Sequence, residues 1–545
     1  MKHTFFIMLT LLTCLPSLAP LQAGTDKPNL IVIMADDLGY ADVGFNGCKD
    51  IPTPNIDSIA GNGVKFSSGY VGYSVCGPSR ASFITGRYGQ RFGFERNPQY
   101  RTADDNMGLP LSEKTLATTL KQVGYHSGII GKWHLGATRT LHPLNRGFGE
   151  FYGHLGGGHA YFADDLTIKD SYAAKNESES YRTWIMKNHE PVKPRKYLTD
   201  DFSDEAVSFV ARNHDKPFFL FLAYNAPHTP LQASEEYLAR FRDINAPKRR
   251  TYAAMVSAVD DGVGRVLGAL REHEVEQNTL VFFLSDNGGP TTKNASRNAP
   301  LRGNKGAPWE GGFRVPFAAR WPAGFPQGVT YDQPVSSLDI FATITALAEA
   351  PIAPERPLDG VNLTPFLRGE RKDAPHEGIF LRKFDQGIRA VRSGDYKLVE
   401  FEKTGIRSLH NLKHDISEAT NIAGDNPDVR KRLSVLWEDW NKPNVEPTFA
   451  GLMMRKNARR KQDSVKKQTS TSPASDSYPV LQAGSLPPTA AHRSATNSIR
   501  FRRSLSATGS LPRFCTIRSC ETTNRPWPLG TITRSAPHQD SPGPE

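Results

Sequence analysis

Four short apolar runs, each ending on polar or charged residues, constrain this chain more than any other feature in it. One spans Pro28 to Ala35 and stops at Asp36-Asp37, before Leu38-Gly39-Tyr40. Tyr125 to Ile130 leads into Gly131-Lys132-Trp133-His134-Leu135-Gly136. Pro217 to Tyr224 delivers Asn225-Ala226-Pro227-His228, and Thr279 to Ser285 ends in Asp286-Asn287-Gly288-Gly289. Runs that are apolar throughout suit strands covered on both faces, as in a parallel sheet, and such sheets carry their sites at the carboxyl ends of the strands. Two adjacent carboxylates at a buried strand end repel each other unless a cation or an arginine neutralises them. Hard oxygen donors favour Ca²⁺ or Mg²⁺, so Asp36, Asp37, Asp286 and Asn287 together could share one ion. Singly, each end has a plainer reading: a solvated turn for Asp36-Asp37, a tight turn for Asp286 to Gly289. Likewise a lone His134 would be structural, and a lone Lys305 in its glycine-rich loop would be a solvated surface group.

The other elements fit between these runs. Helical spacing covers Lys114 to Val123, Asp200 to Asn213 and Tyr252 to Glu272, where Met255, Val259, Val263, Val266, Leu267 and Leu270 form one stripe. Val335 to Ala348 reads as a further helix closing the large domain. Leu141 to Leu198 is rich in Gly, His and aromatics and reads as loops over the mouth of a site. After Pro375 the pattern changes. Ile388 to Arg392 and Tyr396 to Phe401 flank a Gly394-Asp395 turn as a hairpin, Leu409 to Leu412 adds an edge strand, and Asp428 to Trp440 reads as a helix.

The 545 residues leave room for one large α/β domain and a smaller one. The net charge of +11 raises the question of nucleic acid, but 15 Lys+Arg against 5 Asp+Glu fall in residues 451–545, so the body is nearly neutral. That tail is basic, rich in Ser, Thr and Pro, and without periodicity, as expected of disorder. Met1-Lys2-His3, an apolar run from Phe5 to Leu18 and Leu21-Gln22-Ala23 read as a signal peptide over residues 1–23, hence an exported protein. No apolar run is long enough for a comfortable membrane span. Outside the leader and tail only Cys48 and Cys76 remain, which is no disulfide framework.

Cys76-Gly77-Pro78-Ser79-Arg80-Ala81-Ser82-Phe83-Ile84-Thr85-Gly86-Arg87 is the most specific string. Pro78 suits the first turn of a helix and Gly86 a stop, placing Cys76 just before a helix N-terminus, where an anion is favoured. Arg80 can point back towards Cys76. Lys132 and His134, two residues apart, would share one side of an extended segment.

The string resembles the signature of type I sulfatases, Cys-x-Pro-x-Arg followed by Thr-Gly-Arg. Gly131 to Gly136 is similar to the family's second motif, and Leu301-Arg302-Gly303-Asn304-Lys305-Gly306 to its lysine loop. The resemblance covers roughly residues 28 to 445. It implies an alkaline-phosphatase-like α/β fold: a large mixed sheet sandwiched by helices (24–374) with a small C-terminal α+β subdomain (375–450). It implies a sulfatase acting on sulfate monoesters, with sulfated carbohydrates and aryl sulfates as substrates. A maturation enzyme would convert Cys76 to 3-oxoalanine (formylglycine), whose hydrate is the nucleophile. Asp36, Asp37, Asp286, Asn287 and residue 76 would bind calcium, with magnesium the lesser choice. Arg80, Lys132, Lys305 and His228 would hold the sulfate, with His228 or Lys305 at the leaving oxygen, Asp286 taking the nucleophile's proton and His134 acting as base. Two other readings are a phosphonate or phosphodiester hydrolase of the same superfamily and a non-catalytic binder of sulfated glycans. Neither nucleic acid nor a membrane span is expected.

Overall fold

The computed structural model describes residues 27–452. The leader expected over 1–23 and nearly all of the tail expected over 451–545 lie outside the described residues.

The four apolar runs become neighbouring strands. Asn29–Ala35 lies between Thr279–Ser285 and Phe218–Ala223, and Phe218–Ala223 in turn pairs with His126–Lys132; all these pairings are parallel. Period-two alternation explains why such strands are apolar at every position. Leu30, Val32 and Met34 enter one core with Phe219, Phe221, Phe282 and Leu284; Ile31, Ile33 and Ala35 enter the other with Leu220, Leu222, Val281 and Phe283. The signature helix Cys76–Thr85 lies on the first face, where the Phe83 and Phe221 rings are 4.9 Å apart. The helices Pro54–Gly61, Leu198–Asn213 and Pro247–Glu272 cover the second. Phe317–Arg320 pairs antiparallel with Thr279–Ser285, which makes the ten-stranded sheet mixed.

Two sequence expectations shift. The segment read as loops from Leu141 to Leu198 supplies three strands of the same sheet, Glu150–His154, Ile185–Lys187 and Glu190–Val192. Frequent Gly and His hid the first of them, since Gly153 packs backbone against the Gly131 carbonyl, where no side chain fits. The C-terminal hairpin gains a partner, Ile379–Lys383, and forms a four-stranded antiparallel sheet packed on the helix Pro427–Asn441. Lys397 of that sheet reaches Glu310 at 3.0 Å and Glu418 at 2.8 Å, all three side chains being inaccessible to solvent. Glu310 follows the glycine-rich lysine loop, so this buried cluster braces the loop from the C-terminal side.

A second brace titrates. Asp339, at the start of the helix Leu338–Leu347, accepts from Ser336 N at 2.7 Å and Val361 N at 2.9 Å, and its oxygens lie 2.8 and 2.9 Å from His376 Nε2. Burial disfavours an imidazolium here, but the Asp339 carboxylate outweighs it and raises the His376 pKa. A raised folded-state value stabilises the fold fully below the unfolded pKa of about 6.5, and the contribution fades as pH rises through the folded value. His376→Gln therefore destabilises most at about pH 5 to 6.5 and progressively less above it, as urea unfolding of both proteins across pH will show.

Candidate active site

The polar residues that end the four strands converge because the strands are parallel and in register. Backbone bonds lock the ends together: Asp286 N donates to Ala35 O at 3.0 Å and Asp36 N to Ala226 O at 3.1 Å. The helix Cys76–Thr85 points its N-terminus at this cluster. It begins at Cys76 itself, with Val75 extended before it and Gly86 (φ 65°) closing it, so Cys76 lies inside the first turn and not ahead of it. Asn97 Oδ1 accepts from Gly77 N at 2.8 Å and satisfies one of the free amides of that turn.

Around Cys76 the side chains form a closed electrostatic set. Ligand atoms of Asp36, Asp37, Cys76 and Asp286 lie within 4.8 Å of one another, all buried. Lys132 Nζ meets Asp36 Oδ2 at 2.5 Å, Lys305 Nζ meets Asp37 Oδ1 at 2.6 Å, and Arg80 Nη2 meets Asp286 Oδ2 at 2.9 Å. Arg80 also donates to the Lys132 carbonyl at 3.1 Å, so its guanidinium spans two strand ends. Lys305 reaches Cys76 Sγ at 2.9 Å, and Asn287 Nδ2 donates to Asp37 Oδ1 at 2.7 Å. His228 Nδ1 faces the Thr229 carbonyl at 2.6 Å, which turns Nε2 towards Asp37, 3.6 Å away.

This set fits a hard divalent cation. Asp36 Oδ1 and Asn287 Oδ1 are buried oxygens without a donor among the described residues. Buried acceptors left unmatched are costly, and carboxylate and amide oxygens are what calcium or magnesium coordinate. Asp36, Asp37, Asp286 and Asn287 are thus the residues that could hold it.

The electrostatics separate the roles further. Burial pushes the Cys76 thiol up to about 12, more than Lys132 and Lys305 can offset, so an unmodified cysteine would stay protonated and be a weak nucleophile. Burial would raise Asp37 as well, but Lys305 and His228 beside it hold it below the usual carboxylate range. Asp286 moves the other way, to about 6, through burial and the neighbouring Asp36 charge. Burial and the surrounding Lys132 and Arg80 keep His134 neutral. Lys305 stays protonated: burial opposes its charge, but Asp37 more than compensates.

His134 arrives by a route the sequence did not suggest. The strand ends at Lys132, and His134 takes a left-handed conformation (φ 60°) after it. Lys132 and His134 therefore come together through a turn and not through strand alternation. His134 lines a cleft with Tyr100, Leu155, Gly157 and Glu177.

The family model described as Sulfatase matches residues 28–350, and one described as N-sulphoglucosamine sulphohydrolase, C-terminal, matches residues 304–442. The chain belongs to the sulfatase family. It is 35% identical over 438 residues to N-acetylgalactosamine-6-sulfatase of Mus musculus, covering 76% of this chain and 80% of that protein. Arylsulfatase J of Mus musculus is 37% identical over 367 residues, 65% of this chain and 58% of that protein. Among solved structures, Ps i-CgsB in complex with k-i-k-neocarrahexaose is 40% identical with a TM-score of 0.74, covering 82% of this chain and 100% of that one. The chain is accordingly a hydrolase of sulfuric esters.

Several residues that hold the sulfatase site together carried no sequence signal. Tyr161, fully buried, donates its hydroxyl towards the carbonyls of Asn225 (2.7 Å) and His228 (2.8 Å) and so pins the histidine loop, yet it lies in the stretch read as mouth loops. Asn97 is as inconspicuous in the sequence. Gly157 is needed for lack of bulk: a Cβ there would sit 2.7 Å from both His134 Nε2 and Glu177 Oε1. Gly157→Ala should displace the His134 ring and lower kcat for sulfate release by about 10²-fold, with little change in melting temperature. Steady-state kinetics beside a thermal melt checks both.

Proposed function

We propose that this sulfatase is exported and hydrolyses sulfate monoesters of carbohydrates, and aryl sulfates as surrogates, through a formylglycine made from Cys76 by a maturation enzyme, with calcium the preferred cation. The observation that carries this reading is the packing of Cys76 against Asp36, Asp37 and Asp286 within 4.8 Å, with Lys305 2.9 Å from its sulfur. The high thiol pKa supports it, because an unmodified Cys76 could do little here. The carbohydrate assignment draws on the sugar complex of Ps i-CgsB and on the N-acetylgalactosamine-6-sulfatase relative. Export rests on residues 1–23 alone; among the described residues no helix is long and apolar enough to cross a membrane.

Formylglycine would supply a hydrated aldehyde, one hydroxyl of which attacks sulfur while the other later loses its proton and re-forms the C=O as the C–O bond to sulfate breaks; a bound cation would lower the hydroxyl pKa and screen the anion. The rest falls to side chains of this protein. Asp286, with a carboxylate oxygen within 4.8 Å of the position 76 sulfur, can take the proton of the attacking hydroxyl. Arg80, Lys132 and Lys305 present positive donors to the sulfate oxygens. Lys305 also serves the leaving oxygen: it carries a proton and touches position 76, whereas burial drives His228 down to about 3. Neutral His134 is in the state needed to remove the last proton. The test is inorganic sulfate release from 4-nitrophenyl sulfate and from sulfated polysaccharides, with an aryl phosphate diester in parallel. Faster turnover of the diester would reject the reading.

A further inference from the structure

Lys383 ends the strand Ile379–Lys383 of the C-terminal sheet, and the mechanism above does not use it. The residue is 7% exposed, and among the described residues its ammonium donates to the Gly306 carbonyl. Burial pushes its pKa down to about 8, and no neighbouring carboxylate among the described residues opposes that shift. Other buried cations nearby are neutralised: Lys397 by Glu310 and Glu418, Lys305 by Asp37, Arg382 by Glu95. Asp385, two residues further along the sequence, is paired with Arg96 at 2.5 Å. A buried ammonium without a counter-charge is costly to hold, so its retention needs a reason.

The position supplies one. Gly306 follows Lys305, and its amide donates to Ser74 O at 2.7 Å, two residues before Cys76. A Cβ at Gly306 would lie 3.8 Å from Val75 Cγ1 and 4.0 Å from Lys383 Nζ, touching nothing closer. The ammonium thus stands beside the peptide next to Lys305 and opposite the residue next to Cys76. Gly306 itself is only partly buried.

We propose that Lys383 binds a second oxyanion of the substrate, a sulfate or carboxylate on the sugar that carries the scissile sulfate or on its neighbour, and so selects doubly charged carbohydrates. This rests on the carbohydrate-sulfatase reading. A charge-assisted bond from a desolvated ammonium discriminates well against a substrate lacking the anion, since the lysine is then left uncompensated.

The test compares kcat/KM for inorganic sulfate release from matched hexose oligosaccharides bearing one sulfate, two sulfates, or one sulfate and one carboxylate. The wild-type enzyme should prefer a doubly charged member by about 10- to 100-fold. Which of the two it prefers identifies the oxyanion. Lys383→Met should erase most of that preference and Lys383→Arg retain much of it, with thermal melts of both variants alongside. An equal fall on all the sugars would mean that Lys383 only braces the lysine loop and would overturn the proposal, as would a wild-type enzyme with no preference, a result needing no variant. If no sugar were turned over while 4-nitrophenyl sulfate was, the carbohydrate reading itself would fall, a visibly different outcome.

Discussion

Cys76→Ala is expected to lower kcat for sulfate release by about 10⁴-fold or more, the scale on which removal of a nucleophile acts. Cys76→Ser should fare no better in a host that matures only cysteine. A serine could attack sulfur, but it carries no geminal hydroxyl whose deprotonation would form a carbonyl and eject the sulfate, so turnover would stop after one event. Burst kinetics separate the two variants: alanine gives no release of the aryl group, whereas serine gives at most one equivalent per site. Peptide mass spectrometry of the wild-type protein should show sulfur and two hydrogens replaced by one oxygen at position 76. Retained turnover by Cys76→Ala would sink the proposed chemistry outright. The cavity left by this change is small and lies at a helix N-terminus, so the fold should survive, and a normal melting curve would exclude unfolding as the cause.

Chelation should have the next largest effect, with activity lost and then restored by calcium. The carboxylates of Asp36, Asp37 and Asp286 are bonded to Lys132, Lys305 and Arg80. These are the same basic groups proposed to hold sulfate oxygens. A divalent cation shared by the carboxylates competes for them and turns the basic groups towards an anion. Calcium and inorganic sulfate should therefore tighten each other's binding by a common factor, typically about 5- to 150-fold for coupled sites. Calorimetric titration of sulfate with and without calcium measures the factor in one direction, and the reverse titration must return the same value. Calcium alone should raise stability by about 2.7 kcal/mol at 100 times its Kd, seen as a higher melting temperature. Equal sulfate affinity in chelator and in calcium would refute the shared site.

Much of this was legible in the sequence because the signals are local. Buried parallel strands must be apolar on both faces, so the four runs could be read one by one, and their polar ends marked where a site would form. The segment after Leu141 resisted. In Glu150–His154, glycine at 153 replaces the bulk that marks a strand, because the Gly131 carbonyl lies against it. The extended reading of Lys132 to His134 failed for a related reason, since a left-handed residue after a strand is set by what packs around it. Tyr161 and Asn97 are ordinary residues made important only by position.

The sequence by itself determined which groups the site contains: a cysteine near a helix N-terminus, carboxylates and an amide at strand ends, two lysines, an arginine and two histidines. Only the tertiary structure decided which carboxylate answers which cation, that burial pushes the Cys76 thiol pKa up, and that Lys383 meets the Gly306 carbonyl with no carboxylate beside it among the described residues. Residue types follow from local chemistry, but pKa and pairing depend on burial and distance between strands far apart in the chain.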